Sequence, residues 1–222
     1  MFTTRLIRQT SLASALLLTS IPGASLAADF AVGLNVSTLG AGFSFSLGVT
    51  ESINARLGYN RYTTDDTLTE DGVEYEAELE LEGTSLLVDW HPFGGAFRLT
   101  GGVVNNGNNV TGTAMPSQPV EIGDTVYTPA QVGRLDADFT FDNIAPYVGV
   151  GWGSPVATEA GLSYSVDLGI MFSGSVSVDL DAQSDVFTIP ESDIQTEENN
   201  LEDEFDEYDA YPIVRVGLVY LF

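Results

Sequence analysis

Apolar residues recur at every second position along most of the chain after residue 29, a period that places them on one face of a β-strand and not along a helix. Phe30, Val32, Leu34 and Val36 face away from Gly33, Asn35 and Ser37, and Ala41, Phe43, Phe45, Leu47 and Val49 face away from Gly42, Ser44, Ser46 and Gly48. Leu162, Tyr164, Val166, Leu168, Ile170 and Phe172 keep phase with Val176, Val178 and Leu180. No segment beyond Ala27 comes near the roughly 18 consecutive apolar residues of a membrane-spanning helix. A chain of this pattern that crosses a bilayer must do so as a closed β-sheet, because only closure leaves no backbone N–H or C=O unpaired in lipid.

Arg5 and Arg8 precede an apolar run from Leu12 to Ile21 and the small residues Ala24-Ser25-Leu26-Ala27, the order of a secretory signal peptide. The expected organisation is a signal peptide over 1–27 and a single barrel domain over 28–222. Cysteine is absent, which excludes disulfides, thiolate metal sites and a cysteine nucleophile. The chain holds 32 acidic residues against seven basic ones, a formal charge of −25. All the acidic residues follow Ala27, with only Arg56, Arg61, Arg98, Arg134 and Arg215 to offset them. Nucleic acid is excluded as a partner, since binding it depends on Lys and Arg against phosphates. A heavily solvated acidic surface is expected instead.

Eight strands are expected, near 30–36, 41–49, 53–60, 73–90, 97–103, 135–152, 162–180 and 213–222. An even count brings both ends of the chain to the periplasmic side. Thr50–Ser52, His91–Gly95 and Gly153–Ala160 then form inner turns, and Ser37–Gly40, Thr63–Gly72, Asn105–Gly133 and Gln183–Asp209 form outer loops. Several strands exceed the about 9–11 residues of a tilted crossing, so the barrel is expected to project past the outer leaflet. In the fourth strand Glu74, Glu76, Glu78, Glu80 and Glu82 occupy the parity that Leu86, Val88 and Trp90 take farther on. That inversion predicts either a bulge near Gly83-Thr84-Ser85 or the level at which the strand leaves the lipid. Leu135 to Asp142 inverts in the same way relative to Val148 and Trp152. Ile194, Leu201, Phe205 and Tyr208 form one helical stripe, which predicts a short amphipathic helix at the barrel mouth; the charge density there fits disorder almost as well.

The last strand places Val214, Val216, Leu218, Tyr220 and Phe222 on one face and ends on an aromatic residue. This resembles the C-terminal assembly signal of outer-membrane proteins, and the resemblance implies recognition by the barrel-assembly machinery during insertion. Trp90-His91-Pro92-Phe93-Gly94-Gly95-Ala96-Phe97-Arg98-Leu99 and Pro146-Tyr147-Val148-Gly149-Val150-Gly151-Trp152-Gly153 are similar to segments of the small barrels grouped with opacity-type surface antigens and the transmembrane domain of OmpA. The resemblance implies an all-β, eight-stranded antiparallel transmembrane β-barrel in the bacterial outer membrane, surrounded by outer-membrane lipid and lipopolysaccharide. It implies location better than activity, since such barrels include structural, adhesive and pore-forming members. The expected role is structural or surface-interacting: envelope integrity, or contact of the outer loops with an extracellular ligand, the environment or a host. A small pore or a carrier for small or apolar solutes is the alternative.

Arg56, Arg98, Arg215, Asp89 and Asp167 all fall on the face opposite the lipid-facing residues. An eight-stranded barrel holds little beyond side chains, and charges buried there must pair, so an internal network of these five is expected. A narrow selectivity ring is the alternative, because Gly and Ser at many lumen positions leave space for water. Asp136, Asp138, Asp179 and Asp181 are weak candidates for binding Ca²⁺ or Mg²⁺, which take clustered oxygen ligands; a solvated acidic rim is the simpler reading. No cofactor is expected. The single His91 sits in a turn beside Pro92 with neither a second histidine nor a serine motif, so no enzyme is expected.

Replacement of Phe222 by Ser is expected to lower the yield of inserted barrel, measured as the band that migrates faster unboiled than boiled. Full yield contradicts the assembly role. On the same reading, loss of Arg215 weakens the folded barrel without hindering insertion.

Overall fold

In the computed structural model, residues 30–70, 73–153, 160–205 and 210–222 are described, the side chains of 68–75 excepted. The expected signal peptide and Tyr208 lie outside them. In chain order the elements are β1 (Phe30–Ser37), β2 (Gly40–Thr50), β3 (Ile53–Glu70), β4 (Val73–Trp90), β5 (Phe97–Asn106), β6 (Asn109–Met115), β7 (Val120–Ile122), β8 (Thr125–Tyr127) and α1 (Pro129–Val132). Then come β9 (Arg134–Phe141), β10 (Ile144–Gly153), β11 (Gly161–Phe172), β12 (Val176–Gln183), α2 (Glu191–Phe205) and β13 (Ala210–Leu221).

Eight of these strands, β1 to β5 with β10, β11 and β13, pair antiparallel in a ring that β1 and β13 close. Leu34, Val36, Phe43, Leu86, Val88 and Leu218 point outward and are each more than half exposed, as an apolar belt requires. At the end that carries Phe222, aromatic rings gather. Phe222 stacks on Phe30 at 4.6 Å and meets Tyr220 at 4.8 Å. Its amide donates to the Phe30 carbonyl at 2.9 Å, so the terminal residue fastens the seam of the barrel. At the other end the β1–β2 turn depends on Gly40, whose φ is +94°. A Cβ there would stand 2.2 Å from the Arg61 carbonyl oxygen.

β4 outlasts the barrel. From Trp90 to Gly83 it pairs with β5, and from Glu80 to Glu74 it pairs with β6 in the same register. β5 and β6 are therefore one strand, kinked at Gly107-Asn108. β10 and β9 keep the register of β5 and β6 in the same manner. Between the β10–β11 and β9–β12 pairs the register shifts by one residue, a bulge at the level of Ser173 to Ser175. The far ends of β3 and β4 with β6, β9 and β12 thus form a sheet that stands on the barrel rim. One face of it carries α2. Ile194 and Leu201 of the helix pack with Val176, Val178 and Leu180 of β12, with Phe139 and Phe141 of β9, and with Ile122, Tyr127 and Val132.

This cap explains the inverted parity. Within the barrel the outer face of β4 carries the exposed apolar residues Leu86, Val88 and Trp90, while the inner face carries Ser85, Leu87 and Asp89. Beyond the rim the same outer face meets water and carries Glu76, Glu78, Glu80 and Glu82, and the inner face continues through Leu81 and Leu79. The β3–β4 register runs unbroken from Ile53↔Trp90 to Glu70↔Val73, so of the two readings of Gly83-Thr84-Ser85 the bulge is absent, and the segment marks the level where β4 passes the rim. It is the surroundings that exchange. Three further expectations are corrected. Thr63 to Glu70, read as loop, continues β3. Asn105 to Gly133, also read as loop, holds β6, the β7–β8 hairpin and α1. The expected strands 135–152 and 162–180 each break at the rim into two elements.

The acidic helix has structural work at the open edge of the cap sheet. β12 pairs only with β9, and two of its outward amides are taken by α2: Val178 N–H donates to Glu202 at 3.0 Å and Leu180 N–H to Glu198 at 2.9 Å. An unpaired edge would recruit foreign strands; these carboxylates close it. Asp193 accepts from the Tyr127 hydroxyl, a bond that holds the Asp193 carboxyl below the usual carboxylate range and pushes the Tyr127 hydroxyl up. The Asp193 contribution is therefore present above the ordinary carboxylate pKa and is lost as pH falls through the lowered one. Glu198→Ala combined with Glu202→Ala is expected to speed amide exchange at Val178 and Leu180 and to cost about 1–3 kcal/mol of cap stability. The heat-modifiable barrel survives; unchanged protection at both amides contradicts the edge-closing role.

Candidate functional site

The barrel lumen gathers four of the five expected charges into one cluster. Arg56 on β3 donates to Asp89 on β4 at 2.9 Å and to both oxygens of Asp167 on β11, at 3.0 and 3.2 Å. Arg98 on β5 donates to Asp167 at 2.7 Å and lies 3.6 Å from Asp89. Thr100, directly across from Asp89, donates to it at 2.7 Å, and Ser165 joins Arg98 at 2.8 Å. Asp167 has no exposed surface at all. Two arginines and two aspartates thus neutralise one another in a space closed to solvent, the arrangement that makes buried charge tolerable.

Glycine makes room for this cluster. Arg98, Gly151 and Asp167 stand in one row across β5, β10 and β11. A Cβ on Gly151 would lie 2.7 Å from an Asp167 oxygen and 2.8 Å from Arg98 Nε. Gly169 has the same function one level up, where the Tyr147 ring lies 2.3–2.6 Å from the place a Cβ would take. The Gly positions that suggested a water path are occupied by the long side chains of their neighbours. Below the cluster a cavity of about 30 Å³, bounded by Ser44, Ser46 and Asn54 among others, has room for one or two waters. Above it Leu39, Leu87, Val104, Ala145, Met171 and Ile213 form a buried apolar layer across the lumen.

Arg215 departs from the expectation. It stands directly opposite Asp167 on the neighbouring strand, yet among the described residues it forms no ion pair. Its Nη2 donates a long 3.4 Å bond to Asn60 Oδ1, and its Nε has no partner. The reason is arithmetic: two arginines already occupy the Asp167 oxygens, and three cations share two carboxylates. Asn60, which bonds Asn35 at 2.7 Å, completes this level. Asn35, Asn60, Thr100 and Ser165 share the inward parity of their strands, but parity does not reveal which inward residues touch.

The remaining candidates lie elsewhere. Val214, Val216, Leu218, Tyr220 and Phe222 all face outward, between 46% and 60% exposed. Asp136 and Asp138 stand opposite Asp181 and Asp179 on the water-facing side of the cap. Asp136 is held by Thr113 and Arg134, and Asp138 by Asn109. Among the described residues no group of three or more His, Cys, Asp or Glu is placed to hold a metal ion. His91 is buried in its turn, with Nδ1 2.8 Å from the Gly95 carbonyl and Nε2 3.3 Å from the Asn54 amide.

Gly151→Ala is expected to break the Arg98–Asp167 pair and lower stability against urea by about 3–5 kcal/mol, the cost of a broken buried pair. Gly95→Ala, in open space, is the control. Arg215→Met is expected to be neutral or stabilising, the reverse of the expectation from the sequence. Equal losses in all three would contradict the assignment.

No protein-family model and no curated relative matches the chain. Among solved structures it is similar to CarO of Acinetobacter baumannii, with 17% identity and a TM-score of 0.55 over 86% of this chain and 97% of that one. CarO2 of the same organism aligns with 19% identity and a TM-score of 0.57 over 87% of this chain and 98% of that one. Likeness at this identity speaks to architecture: the fold is a closed eight-stranded antiparallel β-barrel, matching outer-membrane barrel structures.

Proposed function

We propose that the chain resides in the bacterial outer membrane as a non-conducting barrel that presents its acidic cap outward, with a structural or surface-interaction role. The observation that carries this reading is the filled lumen. The Arg56–Asp89–Arg98–Asp167 cluster and the apolar layer of Leu87, Val104, Met171 and Ile213 lie in series along the barrel axis. A solute would have to part a paired ion network and then cross a buried apolar layer. What the chain offers instead is a folded surface beyond the lipid. The cap has its own core, and its water-facing side bears Asp65, Glu78, Asp138 and Asp179 in one row across the strands. Such a surface fits contact with cationic partners and disfavours anionic ones.

The mature chain reconstituted in planar bilayers is expected to give no step conductance. A reproducible step that a bulky replacement at Ser165 abolishes would overturn the proposal in favour of a pore.

A further inference from the structure

The two apolar cores of the molecule do not merge. The cap core under α2 and the layer that crosses the lumen are separated where the strands kink at Gly107-Asn108 and shift register near Ser173. Between them the side chains leave a cavity of about 350 Å³. Leu81, Val110 and Phe141 form its apolar walls, and Phe205 at the end of α2 lies over it, 44% exposed. The volume is at the lower end of the roughly 300–1,000 Å³ that small-molecule sites occupy, and an apolar cavity of this kind favours an apolar guest over water.

Two polar groups reach the same cavity. Ser173 is 4% exposed and lines the cavity with its hydroxyl-bearing side chain. Asn108 is 8% exposed; its Oδ1 accepts from the Glu82 amide, which leaves the carboxamide NH₂ as a donor. A polar group that faces an apolar space gains from a partner there, and two such groups line this otherwise apolar cavity. Charge narrows the choice further. Glu198 and Glu202 lie on α2, whose last residue Phe205 lines the site, and glutamates occupy the reverse face of β4, which forms one wall; this negative charge disfavours an anionic guest.

We propose that this cavity binds a small, uncharged, largely apolar molecule with one carbonyl or hydroxyl oxygen, which accepts from Asn108 and Ser173 while the apolar body lies against Val110 and Phe141. The site belongs to the cap–barrel junction and does not depend on the lumen, so it is separable from the non-conducting role proposed above.

The test uses the mature chain in lipid nanodiscs and the neutral, carbonyl-bearing fluorophore prodan, with protein-free nanodiscs as background and the fast gel band as the check on folding. Saturable, blue-shifted binding is expected. Val110→Phe, which fills the space, should abolish it, and Ser173→Ala should weaken it by about fivefold, the worth of one hydrogen bond. Phe205→Ala, at a half-exposed position that does not threaten the fold, should also weaken it. The anionic probe anilinonaphthalene sulfonate should bind more weakly than prodan. Absence of saturable binding, equal affinity in wild type and the Ser173 and Phe205 variants, or preference for the anion would each overturn the proposal.

Discussion

A charge held inside a narrow β-barrel has no water to turn to, and this constraint organises the lower half of the molecule. Asp167 meets it by accepting from Arg56 and Arg98 at once, and Asp89 shares the same two cations. Everything nearby is arranged around that pairing. Gly151 has no side chain because Arg98 and Asp167 meet over it, and the hydroxyls of Thr100 and Ser165 donate to Asp89 and Asp167 respectively. The lumen that results is a packed polar core, and the apolar layer above it completes the seal. The network draws four strands together, so closure of the barrel and exclusion of solute have one cause.

Above the rim the same strands obey the opposite rule. On β4 the apolar residues Leu86, Val88 and Trp90 face outward within the barrel, and Leu79 and Leu81 face inward, toward α2, within the cap. β4 needs no bulge to switch, because each residue simply meets what lies at its own height. A helix rich in glutamate then serves the cap in two ways. Its apolar stripe covers the core, and Glu198 and Glu202 close the edge of β12.

Much of this was legible from alternation alone. Period-2 runs located all eight barrel strands, and parity put Arg56, Arg98, Asp89 and Asp167 on the inward face. The cap was less legible for a physical reason. Thr63 to Thr67 is polar on both faces because it is the outer edge of a sheet in water, and such a segment has no hydrophobic signature. Asn109 to Ala114 alternates only Val110, Gly112 and Ala114 against polar residues, too weak a pattern to distinguish from loop. The isolation of Arg215 was not legible at all. Parity assigns a face, whereas partner choice depends on which carboxylate oxygens are already taken.

The central claim, that Asp167 is saturated by two arginines and leaves the third alone, is most directly tested by double-mutant cycles on unfolding free energy. The pairs are Arg56 with Asp167 and Arg215 with Asp167, each arginine changed to Met and the aspartate to Asn. The account predicts a coupling of about 2 kcal/mol or more for the first pair and close to zero for the second. Equal coupling in the two pairs, or a larger value for Arg215, would contradict it.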